Sequence, residues 1–352
     1  MKKPLLPLIM VLSLGLYQAK AQDGVSQLLR TAPDDATKLL NAYADPLFKG
    51  LGTGINNGWA NTAKSKGLLH FELRVSASGT FTPTGDKSFD VTQLGLSNNV
   101  RLAPGSPSTS PTFGGNSGAT PAKLDLYSNN GNKVDQFTLP GRITPITPAP
   151  QVQLTLGLIH NTDVTIRYIP KVKLGSDNIG KLGLIGFGLK HNIMEDIFGG
   201  IGGKLVPFDL AIAAGYTRLN YELPLEVRPS SGKVPDASSV GRTDFSDQRL
   251  EGHFNGFNLQ AIISKKLVFF TPFAAVGYNT TRANVALAGN FPVTNGLATY
   301  TVYTDPITIK RNAINAFKVD AGFQLDLAIF KFYASGSLAK YKSVTAGIGL
   351  SL

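Results

Sequence analysis

The four histidines, His70, His160, His191 and His253, are the first residues to ask for chemistry. None stands in an H-E-x-x-H pattern or another local ligand spacing, so no helix-borne zinc site is indicated. His160 and His191 fall at the ends of alternating runs, where a solvated turn histidine is the ordinary finding. Cysteine is absent, which excludes disulfide scaffolds, thiol catalysis and thiolate metal sites. The run Gly199-Gly200-Ile201-Gly202-Gly203-Lys204 invites comparison with a phosphate loop. That loop needs a glycine where Phe198 stands and a Ser or Thr where Leu205 stands, so the run reads as a flexible turn. There is no G-x-S-x-G elbow. A hydrolytic set would have to draw on Asp209, Asp320 or His70, and no cofactor or metal is expected.

The second set of candidates is a group of charges. Glu72, Arg74, Arg167, Lys171, Lys318, Asp320 and Asp326 all fall on the polar side of apolar/polar alternation. Two roles suit charges that share an enclosed face. They can pair across it, or they can line a polar, anion-favouring path.

The elements that would position them follow from composition and period. The 352 residues carry a net charge of +11, yet only 16% are charged, against about a quarter in average proteins. That excludes a disordered chain, which needs high charge and low hydrophobicity. Lys2 and Lys3, an apolar run over 5–16 and Ala19-Lys20-Ala21 have the form of a secretory signal peptide, with cleavage expected after residue 21. Cleavage lowers the net charge to +8. No later run is long and apolar enough for a spanning helix.

Residues 22–66 form the one helical and turn-rich segment. Pro33, Asp34 and Asp35 suit a helix start, with proline in the first turn and acids at the positive dipole end. Leu39, Leu40, Tyr43, Leu47 and Phe48 recur at helical spacing. Gly50, Gly52 and Gly54 are expected to end the helix, and a polar turn with the single tryptophan, Trp59, follows.

From residue 67 the period changes to two. Leu69, Phe71, Leu73 and Val75 alternate with His70, Glu72, Arg74 and Ser76. Similar runs occupy 152–158, 164–173, 257–263, 317–327 and 344–352, and weaker ones 181–190, 208–218, 270–281, 298–309 and 329–341. The clear runs approach the 9–11 residues a tilted strand needs to cross a bilayer. In hydrocarbon a backbone must satisfy its own hydrogen bonds, as a helix or as a closed sheet. The expectation is an all-β fold, a transmembrane antiparallel β-barrel of about 12–14 strands over 67–352, with a short N-terminal helical plug. Long polar connections at 98–150, 222–253 and 283–312 are read as external loops, with 104–122 mobile, and short ones near 160 and 328 as periplasmic turns. The final strand ends on apolar Leu352, as strands delivered to barrel-insertion machinery commonly do.

The stretch 46–59, PLFKGLGTGINNGW, followed by Asn61-Thr62-Ala63-Lys64, resembles a family of uncharacterised envelope proteins. Pro170-Lys171-Val172, the run 186–193 (GFGLKHNI), Pro207-Phe208-Asp209-Leu210 and Ala214-Gly215-Tyr216-Thr217 resemble the same family. The resemblance covers nearly the whole mature chain and implies fold and place rather than activity. A helical segment ahead of a barrel is also similar, more distantly and in architecture only, to FadL-type transporters of hydrophobic compounds.

These readings place the protein in the outer membrane of a Gram-negative bacterium, among lipid and lipopolysaccharide. Nothing in the sequence suits nucleic acid. The leading expectation is passive uptake of a small hydrophobic or amphipathic solute. Leu39, Leu40, Tyr43, Leu47, Phe48 and Trp59 would then form a gate hinged at 50–58, or else a permanent cap on the periplasmic rim. The alternatives are a structural or partner-binding barrel without transport, and a membrane-embedded hydrolase. Uptake predicts an apolar pocket beside the helix; a structural role predicts a filled lumen.

Overall fold

The computed structural model describes residues 26, 28–173 and 180–352, without the side chains of 200–204. The expected signal segment, 1–21, lies outside the described residues.

Ten antiparallel strands close into a barrel. They are β1 (Phe71–Phe81), β2 (Ile146–Gly157), β3 (Thr162–Lys173), β4 (Lys181–Asn192), β5 (Asp209–Pro224), β6 (Arg249–Ser264), β7 (Phe270–Ala288), β8 (Thr308–Leu327), β9 (Phe330–Leu338) and β10 (Ser343–Ser351). Each strand pairs with the next in sequence, and β1 closes the ring against β10. No helix among the described residues is long and apolar enough to cross a membrane.

The alternation has its expected meaning. Along β1, Phe71, Leu73 and Val75 are exposed, while Glu72, Arg74, Ser76, Ser78 and Thr80 are buried. The outward rows make an apolar band and the inward rows a polar wall, as hydrocarbon outside and an enclosed lumen require.

Ten strands replace the 12–14 predicted. The run at 298–309 does not join the barrel: Thr299–Thr304 pairs with Asn290–Thr294 and Val234–Pro235 in a separate three-stranded sheet. The connection before β2 adds no wall strand either. It folds as Ser88–Asp90 with Thr109–Pro111, and as Val100–Leu102, Lys123–Tyr127 and Lys133–Thr138. The predicted mobile stretch 104–122 thus carries a strand of its own. Four wall strands are longer than predicted, β5 and β6 at 16 residues, β7 at 19 and β8 at 20. They run past the apolar band, where the pattern inverts: Val285, Leu287 and Phe254 point inward into the core around α1, while Arg282, Asn284 and Asn255 point outward.

The two ends of the barrel differ. One carries the short connections 158–161, 265–269 and 328–329, together with the C-terminus and helix α2 (Met194–Leu205). The sequence reads 199–204 as a turn. It is helical, broken at Gly199 (φ 71°), with Glu195 and Asp196 in its first turn. The other end carries 82–145, 225–248 and 289–307 and all three small sheets. Below, these are the turn end and the loop end.

Helix α1 (Pro33–Ile55) begins at the loop end and runs into the lumen against β1, β2, β6, β7 and β8. Pro33 and the acids open it as predicted. Gly50, Gly52 and Gly54 do not end it. A Cβ on Gly54 would lie 2.6 Å from the Ala149 Cβ, and one on Gly50 2.6 Å from the Thr147 Cβ. These glycines let the helix backbone touch the wall, and their packing outweighs a helix-propensity cost of roughly 1 kcal/mol each. The chain beyond Ile55 continues to the turn end and enters β1.

Candidate functional site

The lumen, with the segment inside it, gathers most of the candidate residues. In its upper half the apolar stripe of α1 is packed. Leu39, Leu40, Tyr43 and Phe48 are buried in one cluster with Leu124, Leu126, Phe137, Leu139, Phe254, Val285, Leu287, Phe291 and Ile307. Much of that cluster comes from the loops, so helix and loops share a single core. Phe48 packs on Phe254 at 6.0 Å between ring centres, and the Tyr43 hydroxyl donates to the Gly141 carbonyl at 2.9 Å. Leu47 is half-buried and outside the cluster, unlike its predicted partners.

The middle of the lumen is polar. Arg167 of β3 is fully buried. Its guanidinium donates to the Ile55 carbonyl at 2.8 Å, the Asn57 carbonyl at 2.7 Å and Gln153 Oε1 at 3.1 Å. It also lies 3.7 Å from the centre of the Trp59 ring. A helix leaves its last carbonyls unpaired and its C-terminus partially negative. Arg167 answers both needs from the wall. Arg74 donates to the Gly58 carbonyl at 2.6 Å and the Trp59 carbonyl at 3.2 Å. Asn56 donates to the Thr280 carbonyl at 3.0 Å and to Thr281 at 2.9 Å, and Gln151 donates to the Gly54 carbonyl at 2.8 Å. Lys318 is held by Asp320 at 2.9 Å and reaches Asn57 Oδ1 at 3.3 Å. Trp59 is buried against Gly188 and Gly215, which face each other on β4 and β5.

Toward the turn end, ion pairs take over. Lys66 meets Glu72 at 2.5 Å, and its backbone N–H donates to Asp163 at 2.9 Å. Lys190 meets Asp163 at 2.9 Å and donates to the Thr62 and Lys64 carbonyls at 3.1 and 2.7 Å. Asp326 pairs with Lys331 at 3.2 Å and Lys266 at 3.5 Å. A cavity of about 30 Å³ lies among Trp59, Lys66, Glu72, Arg74, Asp163 and Lys190. That is room for a water or two, in a polar setting.

Six of the seven predicted charges therefore face inward, paired or bonded to the internal segment. Lys171 does not. It is more than half exposed near the loop end, paired with Glu222 at 2.5 Å, because a bulge between Ile169 and Val172 breaks the phase of β3. Sequence reasoning missed Gln151, Gln153, Asp163 and Lys190. Lys190 is in inward phase on a run that reads weakly, and Asp163 stands beside the short connection near 160, where the sequence suggests a turn. The 50–58 stretch is not a loose hinge, since its first six residues are helical and wall-bound. The segment also does not sit at the periplasmic rim alone, but threads the barrel from end to end. The predicted hydrolytic candidates have separate partners: His70 lies beside the Leu68 carbonyl, Asp209 accepts from Asn192 and Asp320 holds Lys318. No group of three or more His, Asp or Glu able to hold a metal occurs among the described residues.

At the loop end, carboxylates tie the surface together. Asp86 accepts from Lys49 at 3.0 Å and from the Tyr341 hydroxyl at 2.6 Å. Burial pushes its pKa up, but the bonds from Tyr341 and Lys49 win and hold it below the usual value. Asp236 is held lower by bonds from Thr301, Ser239 and Ser238. Groups whose folded pKa lies below the unfolded one stabilise the fold above the unfolded value, near 4, and lose that contribution as pH falls through the folded pKa. Between pH 6 and 2, hydrogen exchange corrected for its intrinsic rate should rise in 82–145 and 225–248 but not in the wall. Equal protection of loops and wall down to pH 2 would contradict this.

A closed antiparallel barrel with an outward apolar band around a polar mid-lumen has the fold of an outer-membrane β-barrel. The chain belongs to a family of unknown function (DUF6588), whose model matches residues 1–352. None of the curated proteins matches it. Among solved structures it is similar to three outer-membrane proteins at low identity. Ail, the attachment invasion locus protein of Yersinia pestis, is 9% identical, with 81% of this chain and 100% of that one covered and a TM-score of 0.27. The outer membrane protease OmpT from Escherichia coli is 8% identical, with 84% and 100% covered and a TM-score of 0.34. The P. putida toluene transporter TodX is 11% identical, with 83% and 70% covered and a TM-score of 0.24. At those values none of the three activities carries over.

Proposed function

We propose that this protein is a sealed outer-membrane barrel whose internal segment is a permanent core, and whose role is to present the folded loop end to a partner or surface glycan. The reading takes the loop end as external, after delivery through a cleaved signal peptide. The observation that carries it is the shared core of α1 and the loops. Withdrawing the helix would strip Leu39, Leu40, Tyr43 and Phe48 from that core. At about 1.5–3 kcal/mol per large apolar side chain, that is roughly 6–12 kcal/mol before the loop residues are counted. A gate that opens of its own accord needs a gap of only a few kcal/mol.

Gated uptake of a small hydrophobic solute is the second reading. It is favoured by the lower half alone, where 56–66 are held by polar contacts that water can replace. Single-channel recording in planar bilayers separates the two. The intact protein should be silent, and a folded variant lacking 22–66 should give steps. Thr62 and Ser264, whose hydroxyls lie 3.2 Å apart, offer a cross-link in this cysteine-free chain. Steps from the intact protein that vanish when Thr62→Cys and Ser264→Cys are oxidised would overturn the sealed-barrel reading in favour of gating.

A further inference from the structure

The outward face of β5–β8 changes from apolar to polar toward the loop end, one row earlier on β7–β8 than on β5–β6. Tyr216 stands opposite Phe187 and Phe257, and Tyr278 packs edge-on against Phe317, with ring centres 5.0 Å apart. Phe317 is 81% exposed and Val276 60%. Phe257 stands opposite Thr280, so Tyr278 and Phe317 lie one row nearer the turn end, and the two pairs form a stepped aromatic girdle of the kind that marks the edge of a barrel's apolar band. The row after Tyr216, Phe257, Thr280 and Asn315 toward the loop end is polar across all four strands: Arg218 faces Asn255, Asn255 faces Arg282, and Arg282 faces Asn312. The row after it is Asn220, His253, Asn284 and Lys310, again in register.

We propose that Arg218, Arg282 and Lys310, with the amides of Asn255, Asn284 and Asn312, form a binding site for the phosphorylated headgroup of an outer-leaflet lipid. The proposal rests on the orientation taken above and not on the state of the lumen.

Four neighbouring strands make the site about 15 Å wide, and two rows make it about 7 Å tall. Arg218, Arg282 and Lys310 are exposed. Among the described residues neither Arg282 nor Lys310 has an ion-pair partner. Among the described residues Arg218 donates only to Asn220, at 3.3 Å, which leaves most of its fork unused. The acids of the following row are already engaged, Glu222 by Lys171 and Lys181 and Glu251 by Arg249. Three cations and a set of neutral amides, with no free acid between them, select an anion. Guanidinium forks suit phosphate in particular. The bare aromatic and aliphatic rows below, adjacent on β5–β6 and one row beyond Thr280 and Asn315 on β7–β8, select a ligand whose anion is joined to acyl chains. A free phosphate has no use for Phe317, Tyr278 and Val276; a phosphorylated glycolipid covers both rows at once.

The test uses the folded full-length protein in detergent, with bound lipid counted by native mass spectrometry. The probes are lipid A carrying both phosphates, the same lipid with its phosphates removed, and inorganic phosphate. The triple variant Arg218→Gln, Arg282→Gln, Lys310→Gln is compared with Lys123→Gln, Lys340→Gln, Lys342→Gln, which removes the same charge at the loop end. An unchanged heat-dependent gel shift verifies that each has folded. Phosphorylated lipid should bind at least about tenfold more weakly to the first variant and unchanged to the second. Equal loss in both would reduce the effect to net charge and overturn the site. So would undiminished binding to the first variant, or equal binding of dephosphorylated lipid. Saturable binding of inorganic phosphate at these residues would overturn the lipid as the ligand. If Arg218→Gln, Arg282→Gln, Lys310→Gln fails to fold, the single variant Arg282→Gln takes its place, with a smaller loss expected and the same outcomes decisive.

Discussion

Replacing Arg167 with alanine should loosen the internal segment where it leaves α1. The side chain is fully buried and makes three hydrogen bonds, two of them to carbonyls at the end of α1. Its removal leaves the Ile55 and Asn57 carbonyls without their charged donor inside the barrel, and leaves Trp59 without its stacking cation. Hydrogen bonds to charged groups contribute about 1.5–3 kcal/mol each, and breaking a buried charged contact costs about 3–5 kcal/mol. A loss of about 3–5 kcal/mol should lower the temperature of the heat-dependent gel shift and expose the bonds around 56–60 to added protease. Arg167→Lys should recover only part of this, since an ammonium cannot span acceptors on three groups with one planar fork. If Arg167→Ala melted at the wild-type temperature and resisted protease equally, the clamp assigned to this residue would be wrong.

Gly215→Ala should unseat Trp59. A Cβ at this position would lie 2.3 Å from the ring carbon Cε2, and one at Gly188 2.6 Å from the ring carbon Cζ3. The two glycines face each other on adjacent strands, so together they form the flat slot in which the ring rests. Overpacking a close-fitting site costs typically about 1–3 kcal/mol. The ring here has wall on one side and the Arg167 guanidinium on the other, so neither neighbour can move away freely. Trp59 is the only tryptophan, so its fluorescence reports the seat directly. The emission should move to longer wavelength as water reaches the ring. In a Gly215→Ala background, Trp59→Leu should restore the gel-shift temperature in part, because the smaller side chain relieves the clash. An unmoved emission spectrum would mean that the slot has slack which the structure does not show.

Much of this architecture is legible in particular residues. The alternation of Phe71, Leu73 and Val75 with Glu72 and Arg74 fixes which side chains meet lipid and which meet the lumen, because a strand's side chains must alternate. Pro33, Asp34 and Asp35 mark the start of α1, and the stripe from Leu39 to Phe48 marks its buried face. The inward placement of Arg167, Lys318, Asp320 and Asp326 follows from the same period. None of this needs a partner to be known, since each is a property of a strand or helix considered alone.

What the tertiary structure decided is of another kind. Lys171 leaves the lumen because of a bulge, which no side-chain pattern announces. Gly50, Gly52 and Gly54 look like a helix stop and are a contact face, because the wall that replaces their missing side chains comes from β2 and β7, remote in sequence. The extra lengths of β5–β8 escape the membrane-strand pattern because polarity inverts there, with apolar Phe254, Val285 and Leu287 facing a core built by α1 and the loops. The partners of Arg167 are backbone carbonyls at the end of a helix 112 residues away. A carbonyl is present at every residue, so its position as an acceptor is set by where the helix ends and lies, not by residue type. The sequence therefore determined period, sidedness and the chemical class of each face. Register, strand number and the path of the segment through the barrel were decided by contacts between distant pieces of chain, which local patterns cannot carry.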